Sequence, residues 1–244
     1  MVTLTFLGTK GYIDPENSLH RYHTSLLITH RKKRIMIDCG EGWEKRLKKV
    51  KPDAIVLTHA HPDHAFGLVD GAPCPVYASK ITWKLIKQFP IRESLKKIMK
   101  PYTPKKIFGI TFEAYPVIHS LKAPAVGYRV SFQRQAFFYV PDVVWIKDLK
   151  NAFKDILFYI GDGATVYRPM VRKDKKTKKI FGHANIRQQL TWCKKRKVPQ
   201  MIVTHCGSDI VGKRAKKSAE QIERFAKERN VKVCIAYDGM KMKV

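Results

Sequence analysis

Leu57-Thr58-His59-Ala60-His61-Pro62-Asp63-His64 closes a strongly apolar run and places three histidines and one aspartate within six residues. In extended backbone alternate side chains share a face, so His59 and His61 point together, while the following turn swings Asp63 and His64 toward a neighbouring position. Imidazole and carboxylate donors suit zinc, manganese or iron rather than a thiolate centre. Four ligand-type side chains at this spacing read as a metal site.

Further candidate ligands stand just past the ends of other apolar runs. His119 follows Glu113–Ile118, Asp142 follows Phe137–Pro141, and His205 follows Met201–Thr204. With the first cluster these make seven ligands. They are enough for His59, His61 and His119 on one metal, Asp63, His64 and His205 on a second, and Asp142 as a bridge. Two ions about 3.5 to 4 Å apart can share a hydroxide nucleophile and clamp both oxygens of a displacement at phosphorus.

With these residues the sequence resembles the metallo-β-lactamase superfamily, whose αββα sandwich carries the His-x-His-x-Asp-His motif. The resemblance covers almost the whole chain. It implies an α/β (α+β) fold, a four-layer αββα sandwich of two mixed β-sheets flanked by helices, with two divalent ions, zinc or manganese. Asp38, in Ile37-Asp38-Cys39-Gly40-Glu41-Gly42, corresponds to the superfamily's first motif, an aspartate that orients a metal ligand; from the sequence alone it reads equally as a turn residue. Within the superfamily, Phe6-Leu7-Gly8-Thr9 and Asp38–Gly42 resemble the tRNA 3′-end endonuclease (tRNase Z) branch and its small phosphodiesterase relatives. Gly182-His183-Ala184-Asn185-Ile186, 22 residues before His205, resembles that branch's Gly-His-x-x-Ile element, whose histidine acts near the scissile phosphate. A leaving alkoxide needs a proton, and an imidazole supplies it. The catalytic expectation is therefore His183, with Asp63 and Asp38. Only 23 residues separate His119 from Asp142, which leaves no room for the tRNA-binding arm that the tRNase Z family carries there. The spacing instead resembles the phosphoribosyl cyclic phosphate phosphodiesterases, although no cysteine precedes Cys39 to build their additional zinc site. The family resemblance also implies a homodimer.

The rest of the chain bounds this reading. Its 244 residues, 44% hydrophobic and 28% charged, are expected to form one domain over residues 1–244 rather than a disordered tail. No apolar stretch approaches a membrane span and the first residues do not read as a secretory signal, so a cytoplasmic protein is expected. The five cysteines include no Cys-x-x-Cys pair and read as reduced, mostly buried small hydrophobes. A net charge of +28 predicts attraction to polyanions without identifying one. The densest run, with Arg172, Lys173, Lys175, Lys176, Lys178 and Lys179, reads as a loop placed to meet nucleic acid beside His183. His20 and His23 read as residues of a solvated loop that could approach the site, and His30 as unassigned. Strands are expected at Val2–Leu7, Thr24–Thr29, Arg34–Asp38, Asp53–Thr58 and Ile110–Val117, and helices at Arg92–Met99, Ala184–Lys195 and Ala215–Glu228, among others.

Together these readings predict a dinuclear metal-dependent phosphodiesterase that uses a metal-bridging hydroxide. A small cyclic phosphate or cyclic nucleotide is the favoured substrate. The alternatives are a nuclease acting on RNA or DNA and a thioester or lactam hydrolase of the same superfamily.

Overall fold

In the computed structural model, which describes residues 1–244, the chain opens as an antiparallel meander of β1 (Val2–Gly8), β2 (Ser25–His30) and β3 (Lys33–Ile37). The next three strands, β4 (Ala54–Val56), β5 (Val76–Ala78) and β6 (Lys96–Ile98), each pair parallel with the one before. Then β7 (Lys105–Ile107), β8 (Ile110–Ile118), β9 (Ala125–Phe132) and β10 (Gln135–Tyr139) form a second meander, and β11 (Trp145–Ile146) returns to pair with β8. A parallel series follows, with β12 (Phe158–Asp162) separated from its neighbour by the free-standing hairpin β13 (Met170–Lys173) and β14 (Ile180–His183). It continues through β15 (Gln200–Thr204) and β16 (Lys232–Ile235), after which β17 (Lys241–Lys243) crosses back to pair with β1. The first sheet runs β17-β1-β2-β3-β4-β5-β6 and the second β11-β8-β9-β10-β12-β15-β16, so both are mixed.

Near-continuous apolar strands supply both faces of each sheet, and the alternation of side chains sorts them into layers. Ile35 and Ile37 of β3, Phe137 and Tyr139 of β10, Phe158 and Ile160 of β12 and Ile202 of β15 meet between the sheets. Their neighbours face outward. Met36 and Ile55 pack with Leu47, Val50 and Ile86 on one flank, while Phe138, Tyr159, Met201 and Val203 pack with Leu190, Cys193, Ile222 and Phe225 on the other. Three apolar interfaces thus hold four layers, the expected αββα arrangement. The flanking helices at Ile186–Arg196 and Ala215–Lys227 match their expected positions, the first capped by the Asn185 side chain accepting from Gln188 N at 2.8 Å. All five cysteines are free thiols, four of them buried. No helix is long and apolar enough to cross a membrane.

One expected element fails, and a second is refined. Instead of a helix over Arg92–Met99, the chain makes one tight turn at Glu93–Leu95 and enters β6, pairing Lys96 with Val76 and Ile98 with Ala78. Backbone pairing at an open sheet edge outweighs the helical spacing there, and the exposed Lys97 suits an edge strand. The basic run Arg172–Lys179 is the expected loop over residues 174–179, and it forms the tip of an antiparallel hairpin whose first strand takes up Arg172 and Lys173. Asp174 closes its turn, accepting from Thr177 N at 2.6 Å and from Thr177 Oγ1 at 2.7 Å.

The two sheets are tied together directly beneath the strand ends that carry the candidate ligands. Val126 N donates to Thr58 O at 3.1 Å, and the buried Tyr128 hydroxyl donates to Leu57 O at 2.8 Å.

Candidate metal centre

Every candidate ligand lies past or at the carboxyl end of a strand. Asp38 follows β3, His59 and His61 follow β4, His119 follows β8, Asp142 follows β10 and His205 follows β15. Asp38 and His205 hold left-handed backbone, φ 61° and 52°, a conformation that side-chain-bearing residues rarely adopt and that clusters at functional sites. Gly40 lets the chain after Asp38 run against the Asp63 backbone, where any Cβ would collide. That approach is fixed by Cys39 N donating to His64 O at 2.7 Å and Glu41 N to Pro62 O at 2.9 Å. The motif segment 38–42 is therefore the floor on which the turn Pro62–Ala65 rests.

The first three histidines converge. His59 Nε2 is 3.0 Å from His61 Nδ1, which is 3.3 Å from His119 Nε2. Their other nitrogens fix which atoms carry lone pairs. His119 Nδ1 donates to Gly182 O at 3.0 Å, and a carbonyl only accepts, so Nε2 is bare. Thr58 Oγ1 gives its proton to Asp38, so His59 Nδ1 donates to it at 3.0 Å and His59 Nε2 is bare too. Lone pairs face one another at these spacings, and a tetrahedral ion with bonds of 2.0 to 2.1 Å would hold its nitrogens about 3.3 Å apart.

A second set adjoins it. His64 Nε2 lies 3.1 Å from Asp63 Oδ2 and 2.8 Å from Asp142 Oδ2, and His205 Nε2 lies 3.1 Å from Asp63 Oδ2. Asp142 Oδ1 is 3.6 Å from His119 Nε2 and 3.5 Å from His205 Nε2, so one carboxylate reaches both sets. Buried His64 Nε2 and Asp142 Oδ2 have no hydrogen-bond partner of acceptable geometry despite their proximity. Two orphaned ligand atoms aimed at a common point fit a cation between them. Asp38 touches none of the converging atoms. It accepts from Thr58 N at 2.7 Å and from His64 Nδ1 at 2.9 Å, which holds the His64 ring with Nε2 toward the converging atoms, a contact that fits the orienting expectation.

His183, at the end of β14, faces the same 420 Å³ cavity as Met170, Asp63 and His205. Its Nδ1 is 2.8 Å from Asp162 Oδ2 and 3.6 Å from Asp142 Oδ1. Asp162 is the residue that the sequence reading missed. It ends β12 in Ile160-Gly161-Asp162-Gly163, the strand-end position that singled out Asp142, so the signal was present. Gln189 holds it through both backbone groups, accepting from Asp162 N at 2.9 Å and donating to Asp162 O at 2.7 Å. Ser120, 3.2 Å from His61 Nε2, was also unforeseen.

Four buried carboxylates, Asp38, Asp63, Asp142 and Asp162, surround these imidazoles. In the cation-free chain burial lowers His59, His61 and His119, the last to about 4, leaving their lone pairs free at neutral pH. Burial also disfavours charge on His64, His205 and His183. The carboxylates outweigh it, raising the first two and lifting His183 to about 9 chiefly through Asp162. Divalent ions would take the place of those protons. Stability of the stripped protein should therefore peak near the ordinary histidine value of 6.5. Below it the unfolded chain holds the proton that folded His119 refuses, so stability falls as pH drops toward 4. Above it folded His183 retains a proton the unfolded chain releases, so stability falls as pH rises toward 9. Thermal melts in chelator across this range test both limbs, and a Tm that climbs steadily above neutrality contradicts the second.

The remaining histidines lie outside the converging groups. His20 is buried, its Nδ1 donating to Thr9 Oγ1 at 2.8 Å, and Thr9 in turn donates to Asp238. Asp238 also accepts from Arg21 N and Tyr22 N, so the expected solvated loop is instead clamped to the C-terminal segment. His23 packs on Tyr12 and lies 3.7 Å from Glu41, and His30 sits beside Met1 O.

Residues 33–206 match the Beta-lactamase superfamily domain. The sequence is 44% identical over 73 residues to a ribonuclease Z of Bradyrhizobium diazoefficiens, a stretch covering 28% of this chain and 23% of that protein. The aligned region thus spans under a quarter of that relative. Among solved structures, the metallo-beta-lactamase fold protein YhfI from Bacillus subtilis superposes with a TM-score of 0.76 at 16% identity, covering 99% of this chain and 98% of the other. A diphosphatase of the PhnP family superposes with a TM-score of 0.70 at 20% identity, covering 100% and 98%.

Proposed function

The chain belongs to the beta-lactamase superfamily, and from that membership we propose that it is a dinuclear metal-dependent phosphodiesterase. His59, His61 and His119 would hold one ion, Asp63, His64 and His205 the other, with Asp142 reaching both. Such ions supply Lewis acidity toward phosphoryl oxygens and activate water at neutral pH.

The observation that carries the reading is the His183–Asp162 pair set against the ligand cluster. Asp162 accepts from His183 Nδ1 and stabilises the imidazolium, which leaves Nε2–H free to protonate a departing oxygen. An alkoxide leaving group needs that proton, whereas a thiolate leaves without it, which favours phosphodiesters over thioesters. The match to ribonuclease Z supports the same reaction class.

Two substrate classes share this chemistry. The short interval between His119 and Asp142, filled only by β9, β10 and tight connections, supports a small cyclic phosphate or cyclic nucleotide. The basic hairpin beside His183 supports RNA or DNA.

Protein stripped with chelator and reloaded with zinc or manganese should hydrolyse bis-p-nitrophenyl phosphate, and stripped protein should not. A thioester and a β-lactam run in parallel should be poor substrates. Two bound ions with no release from the diester, but rapid thioester hydrolysis, would overturn the proposal.

A further inference from the structure

The hairpin β13–β14 belongs to neither main sheet, yet it is anchored to the metal centre. Gly182 N donates to His119 O at 2.7 Å and Gly182 O accepts from His119 Nδ1 at 3.0 Å, so β14 and a candidate ligand hold each other at both peptide groups. Gly182 has φ 119°, and any Cβ there would collide with Met170 O, so the junction tolerates only glycine.

The register decides which side chains accompany His183. Met170 pairs with His183 and Arg172 with Phe181. Directly paired residues share a face, and residues two apart on one strand share it as well. Met170, Arg172 and Phe181 therefore lie on the face that carries His183, and Met170 lines the cavity beside it. Arg172 and Phe181 come two residues further out, about 7 Å at the rise of a strand. That is one phosphodiester step of an extended chain. Arg172 is exposed and Phe181 half-buried, so a guanidinium and an aromatic ring stand side by side on the hairpin face that carries His183. The hairpin's single acid, Asp174, is engaged by its own turn, so its lysines and arginine meet no carboxylate within the hairpin.

We infer that the substrate is a single-stranded polynucleotide, and that Arg172 and Phe181 form the subsite for the nucleotide next to the scissile phosphate. This rests on the phosphodiesterase reading. Arg172 takes the adjoining phosphate and Phe181 stacks on its base, the pairing of cation and aromatic by which single strands are held without sequence preference. Lys173, Lys175, Lys176, Lys178 and Lys179 extend the positive track outward.

The test compares hexauridylate and hexathymidylate with bis-p-nitrophenyl phosphate on metal-loaded protein. In Arg172→Ala and Phe181→Ala the ratio of oligonucleotide to small-diester kcat/KM should fall at least tenfold, with Phe181→Tyr restoring it and the remote Lys232→Ala leaving it unchanged. Labelled hexauridylate binding, followed by anisotropy in a His183→Ala background, adds an activity-independent reading. Arg172→Ala should flatten the slope of log affinity against log salt by about 0.7, the loss of one single-strand phosphate contact. Phe181→Ala should weaken binding roughly tenfold without altering the slope. Wild type that hydrolyses the small diester but neither oligonucleotide, or variants with an unchanged ratio and slope, would overturn the subsite alone. Wild type inert toward the small diester overturns the phosphodiesterase reading, and the binding slopes then still decide the subsite.

Discussion

His59→Ala is expected to remove one of two ions and, with it, turnover. His59 Nε2 is one of three nitrogens spaced 3.0 and 3.3 Å apart along the chain His59–His61–His119. Elemental analysis should find bound metal dropping from about two ions per chain toward one, and hydrolysis of bis-p-nitrophenyl phosphate should fall to the level of chelator-treated protein. His59 is fully buried, so part of the effect is a packing loss, as removal of a buried ring leaves a cavity. His59→Gln, which fills more of that space but offers a poorer ligand, separates the two. It should recover thermal stability without recovering metal. Asp38→Ala gives the graded comparison, because Asp38 orients His64 without reaching an ion; affinity for metal should weaken about 10- to 100-fold rather than vanish. A His59→Ala protein that retained two ions and normal rates would place the metal centre elsewhere.

The candidate ligands were legible in the sequence through one simple rule, a donor side chain shortly past an apolar strand, with Asp63 and His64 carried by the turn that follows. That rule depends on local sequence and on strands reaching the same edge of two sheets, and the fold satisfies both. Asp162 obeys the rule as well. It escaped notice because its partner is His183, 21 residues away, and nothing in a linear reading links them. The hairpin failed to read as strands for a different reason. Strand preference measures packing on a half-buried surface, and β13 is exposed throughout while β14 is only four residues long and partly exposed. The signal that was available lay in the turn, where Asp174 and Thr177 stand three apart. At Arg92–Met99 the sequence carried helical spacing and the sheet edge imposed a strand. Where local pattern and tertiary pairing conflict over so few residues, pairing prevails.

His183→Ala should leave about two ions bound and still lower kcat by about 10²- to 10⁴-fold, the range for a lost general acid. The loss should depend on the leaving group. A p-nitrophenolate departs readily without a proton, so bis-p-nitrophenyl phosphate should be affected least and a diester with an alkyl leaving group most. Asp162→Asn provides the finer probe, since it keeps the imidazole in place while removing the charge that holds it protonated. Asp162 raises His183 against the effect of burial, and a general acid works only below its own pKa, so the alkaline limb of the kcat profile reports on it. Removing the charge lowers that pKa, and the limb should move to lower pH in metal-loaded Asp162→Asn than in metal-loaded wild type. Asp162 also accepts from Val143 N at 2.9 Å and Ala164 N at 2.8 Å, so a melt must accompany the profile. A variant that is merely unstable loses rate at every pH by the same factor. A uniform loss, or equal losses on aryl and alkyl diesters in His183→Ala, would remove His183 from the proton-donating role and leave the ions alone to support the leaving group.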